Sequence, residues 1–250
     1  MLIFILGTAG SGKTTLAINF CKWLNEKSKK ACFINLDPGN LSLKVKPKVD
    51  VREWVKSEEV MKKFNLGPNY GIIKSMELIE EKVEVICERI EEREEEFKLI
   101  DTPGQIELFL YRDVGKKILK RIASKKRSVI LFLIDVNDLK DGEKFVSIVA
   151  WNAILMLRLA ENVVTLINKS DLLKDEEIET LKQKILRKEF FKELKGKEDY
   201  RSLIAESLEK FFEFTSLAQR PIFISALKQK NFEEIENVVE EIACACGDLS

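Results

Sequence analysis

Histidine is missing altogether from the 250 residues. Its absence removes a histidine general base, a Ser–His–Asp triad and imidazole metal sites, so chemistry must rest on carboxylates, amides, lysine and a bound metal ion. An excess of one charge is missing too: Lys plus Arg and Asp plus Glu are 42 each, for a formal net charge of zero. Proteins that grip a phosphate backbone carry a basic excess, so direct nucleic-acid binding is not expected. Cysteine is scarce. Five residues (Cys21, Cys32, Cys87, Cys244, Cys246), odd in number and without C-x-x-C spacing, point to reduced thiols and a cytoplasmic protein. No apolar run is long enough for a bilayer, and Met1–Leu6 gives way at once to Gly7, so no signal segment, membrane anchor or membrane partner is expected. Linkers, repeats and low-complexity tracts are lacking as well, which leaves a single domain over residues 1–250 as the expectation.

What is present is a 45% hydrophobic chain, ample for a core. Short apolar runs at Leu2–Leu6, Ala31–Leu36, Lys98–Ile100, Val129–Ile134, Val163–Ile167 and Ile222–Ile224 read as buried strands. Helical patterns separate them, and that alternation predicts an α/β fold with a mostly parallel sheet covered on both faces. Ligands of such sheets bind beyond the carboxyl ends of the strands. Ile72, Met76, Ile79, Val83, Ile86 and Ile90 recur in steps of three and four, predicting a helical segment over 71–96 whose stripe faces either the sheet or a partner subunit. The charged stretch 174–219, with aromatic clusters at Phe190–Phe191 and Phe211–Phe214, predicts a helical insertion between two strands.

Gly7-Thr-Ala-Gly-Ser-Gly-Lys13-Thr14 matches G-x-x-x-x-G-K-[ST] in full and falls between a predicted strand and helix. This makes the expected architecture a three-layer P-loop NTPase. Backbone N–H groups of Ala9, Gly10, Ser11 and Gly12 would curl round phosphate oxygens, with Lys13 on the β- and γ-phosphates, Thr14 on Mg²⁺ and Thr15 continuing the site. Asp101-Thr-Pro-Gly104 closes a second run: Asp101 offers a carboxylate to Mg²⁺ through a water, and Gly104 a backbone N–H to the γ-phosphate. Asn168-Lys169-Ser-Asp171 matches N-K-x-D. The Asp171 carboxylate can accept from both the ring N–H and the exocyclic amine of guanine, a pair that adenine cannot offer, so the nucleotide is GTP or GDP. Lys169 would pack its stem along the base and Asn168 would brace base and phosphate loop. Ser225-Ala226-Leu227 follows the last run, with the Ala226 N–H expected to reach the guanine carbonyl and Leu227 standing where GTPases usually carry lysine.

Two further features narrow the field: Asp37, after the second run in Asn35-Leu-Asp-Pro-Gly-Asn40, and Gly67-Pro68-Asn69 before the long helix. By itself Gly-Pro-Asn is an ordinary turn. Together with the phosphate loop and Asp101-Thr-Pro-Gly-Gln-Ile-Glu107, the set resembles the GPN-loop GTPases, a dimer-activated P-loop class, over essentially the whole chain; the C-terminal Cys246-Gly-Asp-Leu-Ser250 resembles archaeal members. The resemblance implies a homodimer in which Asn69 acts on the partner's phosphate site as an arginine finger does elsewhere. It also implies protein clients, since eukaryotic members serve RNA polymerase assembly and nuclear import. For the attacking water, a histidine-free chain leaves Asp37, Gln105 and Glu107 as candidates, with Asp37 also able to order water on Mg²⁺. The alternatives are an assembly scaffold with negligible hydrolysis and a small-molecule kinase.

Overall fold

The apolar runs pair into one sheet. The computed structural model describes residues 1–245 apart from 42, 125, 160 and 196–199, so Cys246 and the rest of the C-terminal motif lie outside the described residues. Its strands are β1 (Leu2–Gly7), β2 (Ala31–Asn35), β3 (Val49–Asp50), β4 (Phe97–Asp101), β5 (Ser128–Asp135), β6 (Asn162–Asn168) and β7 (Ile222–Phe223). They run parallel in the order β3-β2-β4-β1-β5-β6-β7. The two-residue β3 has no apolar run to announce it; it exists because Val49 and Asp50 pair with Ile34 and Asn35.

Successive side chains of a strand point to opposite faces. Leu2, Phe4 and Leu6 of β1 join one apolar cluster, and Ile3 and Ile5 join the other. The helices Lys13–Glu26 and Phe232–Ala245 cover the second face, and the remaining long helices cover the first. The result is the three-layer P-loop architecture. From β1 the chain runs outward through β2 to β3, returns to β4 beside β1, and then proceeds through β5, β6 and β7 on the other side. The carboxyl ends of β1, β4 and β5 therefore meet where the winding reverses, which is where an open α/β sheet leaves a crevice.

The helix expected over 71–96 is two helices, Pro68–Glu81 and Val83–Glu91, and residues 92–96 lie outside both. The break falls at Lys82 (φ −104°, ψ 5°), whose N–H bonds back three residues to the Ile79 carbonyl. The apolar stripe survives the break. Ile72, Met76, Ile79, Ile86 and Ile90 are all buried in the cluster on the sheet, so the stripe faces the core. Between β6 and β7 lie the helices Asp175–Leu186, Glu189–Lys195, Tyr200–Phe212 and Ser216–Gln219. Phe190, Phe191 and Phe212 bring them against Phe145, with ring centroids 4.5, 5.7 and 5.7 Å from it. No helix among the described residues is long and apolar enough to cross a membrane.

Candidate active site

Strand β1 ends at Gly7, and the chain turns through Thr8–Gly12 into the helix Lys13–Glu26. Two glycines make that turn possible. A β-carbon on Gly7 (φ 152°) would lie 2.3 Å from the Leu133 carbonyl oxygen of β5, and one on Gly12 (φ 100°) would lie 2.4 Å from Asn168 Nδ2. A side chain forbids both the backbone conformation and the approach. Behind the loop stands the N-terminus of a 14-residue helix, whose orphan N–H groups and field favour an anion. Lys13 is buried there. Its Nζ donates to the Thr8 carbonyl at 2.8 Å, and burial pulls its pKa below the ordinary lysine value against the opposing pull of Asp101 and Asp37.

Asp101 closes β4 alongside and is fully buried. Its Oδ2 accepts from Thr14 Oγ1 at 2.6 Å, while the buried Oδ1 has no hydrogen-bond partner among the described residues. Burial pushes its pKa up to about 7; the Thr14 hydrogen bond opposes the rise and the Asp37 charge adds to it. Asp37, half-buried after β2, accepts from the Gly39 N–H at 2.8 Å, yet burial keeps its pKa above the ordinary carboxylate value. Asp37, Asp101 and Lys13 thus share one field. The Thr102–Gly104 turn rises against the loop: a β-carbon on Gly104 would lie 3.5 Å from Ala9 and 4.0 Å from Lys13 Nζ.

On the other flank β6 delivers Asn168–Asp171. Asn168 is a buried bridge, with Nδ2 donating to the Ser11 carbonyl at 2.7 Å and Oδ1 accepting from the Ala226 N–H at 2.8 Å. The Ala226 N–H, expected at the guanine carbonyl, is thus paired with Asn168, as a buried N–H must be paired. Lys169 holds a left-handed backbone (φ 66°), and its Nζ donates to Asp135 Oδ2 at 2.5 Å. Asp171 accepts from Ser225 Oγ at 2.6 Å, and Ser225 Oγ accepts from the Lys228 N–H at 3.0 Å. Asn168, Lys169, Asp171 and Ala226 line a cavity of about 300 Å³ with Gly10, Gly12, Thr15 and Leu227.

The Gly-Pro-Asn segment lies elsewhere. Gly67, Pro68 and Asn69 are exposed, with Pro68 as first residue of its helix. Asn69, Gln105 and Glu107 come together round a second space of about 280 Å³, with Ile72, Leu108 and Arg112. No phosphate-loop residue lines that space, so Asn69, Gln105 and Glu107 form one group, and Lys13, Thr14, Asp37 and Asp101 another.

A family model described as a conserved hypothetical ATP binding protein matches residues 5–245. A GPN-loop GTPase of Pyrococcus abyssi is 32% identical over 259 residues, covering all of both chains. The crystal structure of a GTPase in apo form from that organism matches with a TM-score of 0.86 at 31% identity, over 98% of each chain. The chain belongs to the GPN-loop GTPase family. GPN-loop GTPase 1 of Dictyostelium discoideum is 37% identical over 172 residues, 68% of this chain but 43% of that protein, so the chain spans under half of this larger relative.

In this GTPase several residues outside the motifs hold the site. Asp135 tethers Lys169; it directly follows the run Val129–Ile134, which was the signal for it. Behind Asp37 lies a polar chain. Asn35 Nδ2 donates to Asp50 Oδ1 at 2.9 Å and to the Asp37 carbonyl at 3.0 Å, and Arg52 forks onto Asp50 with bonds of 2.6 to 3.1 Å. Arg52 also donates to the Asn40 carbonyl at 2.5 Å, and Asn40 Nδ2 donates to Thr14 Oγ1 at 3.2 Å. No sequence motif marks this chain, because it depends on the pairing of β3 with β2.

Proposed function

We propose that the chain is one P-loop domain that hydrolyses GTP to GDP and phosphate as a Mg²⁺-dependent homodimer, working in the cytoplasm as a nucleotide-dependent switch on protein clients. The observation that carries the base assignment is the cavity holding Asp171, with its carboxylate tied on one oxygen to Ser225. Guanine offers that carboxylate two donors, whereas adenine would present an acceptor to it and leave a costly unpaired charge. The family model's description speaks of ATP, but N-K-x-D and the GTPase relatives both favour GTP.

The residues present fit a magnesium ion. Thr14, Asp101 and Asp37 offer only oxygen, as a hard cation requires, and Asp101 Oδ1 is a buried acceptor left without a partner. Among the described residues no three acidic or thiol groups could cage a metal unaided, which suits an ion that shares its shell with phosphate oxygens and water. When bound, Mg²⁺ supplies neutralisation of the charge on the β- and γ-phosphate oxygens. Thr14 would hold the ion directly, and Asp101 and Asp37 would hold its waters. Lys13 and the loop N–H groups bind and orient the triphosphate. Gly104 presents its N–H to the γ-phosphate. Gln105, Glu107 and Asp37 remain the groups for orienting water, and Gln105 and Glu107 must move toward the phosphate loop to do so.

Gly67 supports the dimer. It caps the helix Pro68–Glu81, a position that glycine favours, and a β-carbon there would meet nothing within 4 Å, so this face is open to a second copy. The exposed apolar residues Tyr200, Leu203, Ile204 and Phe214 of the inserted helices support a protein client. The cavity shared by Asn69, Gln105 and Glu107 favours a second reading for Asn69, acting within its own chain. Hydrolysis of GTP and ATP, measured with Mg²⁺ for the natural protein and Asn69→Ala, tests the assignment. The expected result is a preference for GTP and at least a tenfold lower kcat in the variant, about 1.4 kcal/mol of barrier, with nucleotide affinity retained. Normal turnover by the variant would reduce Gly67–Asn69 to a turn.

A further inference from the structure

The Thr14 hydroxyl is the one protein oxygen that the proposed function places directly on the metal. Its proton goes to Asp101 Oδ2 at 2.6 Å. One of its two lone pairs takes the amide N–H of Asn40 at 3.2 Å. That amide turns a partial positive charge toward the very oxygen that a cation needs. Asn40 is not loosely placed. Its carbonyl is held by Arg52 at 2.5 Å, Arg52 is locked to Asp50, and Asp50 is tied through Asn35 to the backbone of Asp37. The loop carrying Asp37 is thereby pinned at its base, and its only side-chain bond to the phosphate-loop helix among the described residues is Asn40 to Thr14.

Resting on the Mg²⁺ reading, we propose that Asn40 is a positioning residue for the metal site: its amide stands in for the cation on Thr14 and is displaced when the ion binds. Metal binding then frees the Asn40 side chain, while Arg52 keeps its backbone in place through the carbonyl. Asn40 and the ion compete for one oxygen, so removing the amide favours the ion by the net worth of the lost hydrogen bond.

The test follows binding and needs no hydrolysis. Release of a fluorescent GDP analogue is measured against Mg²⁺ concentration for the natural protein and for Asn40→Ala. The variant's midpoint is expected at roughly 2- to 12-fold lower Mg²⁺, the range for one net hydrogen bond. An unchanged or higher midpoint in Asn40→Ala, with a normal response in the natural protein, overturns the role of Asn40 and leaves the metal reading standing. A natural protein whose GDP release ignores Mg²⁺ overturns both.

Discussion

At the scale of single residues, burial and pairing decide what each carboxylate can do. Asp171 accepts from Ser225 and lines a cavity; Asp101 is fully buried beside the phosphate loop. In Asp171→Asn the Ser225 hydroxyl can still donate to the amide oxygen, but the amide now presents a donor to the guanine amine. GTP binding measured by calorimetry should weaken by roughly 100-fold or more, while xanthine nucleotides, with a carbonyl where guanine has its amine, should gain. Equal losses for both nucleotides would count against Asp171 as the reader of that edge. Asp101 makes a pH prediction for the metal-free protein. Its carboxyl ionises at 3.8 in the reference state and at about 7 in the fold. Below 3.8 both states hold the proton and Asp101 costs nothing. Between these values the unfolded chain loses its proton first, so the native state binds more protons and stability falls as pH rises; above about 7 the penalty is complete. Asp101→Asn in chelator should therefore be the more stable protein at pH 8, by roughly 2 to 4 kcal/mol, with the gap closing toward pH 4. Denaturant titrations at both pH values would show it, and a gap that does not change with pH would exonerate Asp101. The motif residues around these two carboxylates were legible because loop, turn and base motif each have a fixed spacing. Asn40, Asp50 and Arg52 were not, since what joins them is tertiary.

Elements show where periodicity suffices and where it stops. The runs that became β1, β2, β4, β5, β6 and β7 are apolar stretches broken only by Asn35, Lys98 and Thr165, as strands buried on both faces require. Strand β3 has two residues and no such run, so only pairing reveals it. The stripe Ile72–Ile90 keeps its phase through Lys82, and a hydrophobic pattern alone could not report a break of one residue. Boundaries were therefore less legible than existence. The helix Gly142–Leu159 illustrates what packing adds. Its Phe145 is fully buried and meets three phenylalanines of the inserted helices, so it joins the insertion to the body of the sheet. Phe145→Ala should cost about 3 to 5 kcal/mol by chemical denaturation. Nucleotide affinity should change little, because Phe145, Phe190, Phe191 and Phe212 line neither of the cavities that the phosphate loop borders among the described residues. A loss below about 1 kcal/mol would mean that the insertion holds its place by other contacts.

For the whole molecule, the reversal of winding at β1 puts the phosphate loop, Asp101 and Asp135 at one edge, and this much followed from alternating strands and helices. What a single chain cannot display is whether its Gly67–Asn69 loop serves its own site or another's. Asn69 shares a cavity with Gln105 and Glu107 of its own chain, which favours action within the chain, while the open, exposed face at Gly67 leaves room for a second copy. Mixing two inactive variants separates these. Lys13→Ala has no working phosphate site but keeps a normal Asn69; Asn69→Ala has a working phosphate site but no donor. If the loop acts across a dimer, a mixed pair builds one complete site, using the phosphate loop of one subunit and the asparagine of the other. Random exchange at equal concentration makes half the dimers mixed, each with one of two sites complete, so about a quarter of natural GTPase activity should return. If the loop acts within its own chain, neither subunit of a mixed pair is whole and no activity returns at any ratio. The measurement needs subunits that exchange, shown by recovering untagged chain on a tagged partner. With exchange shown, a flat activity profile places Asn69 in its own active site, and a maximum near equal mixing places it in its neighbour's.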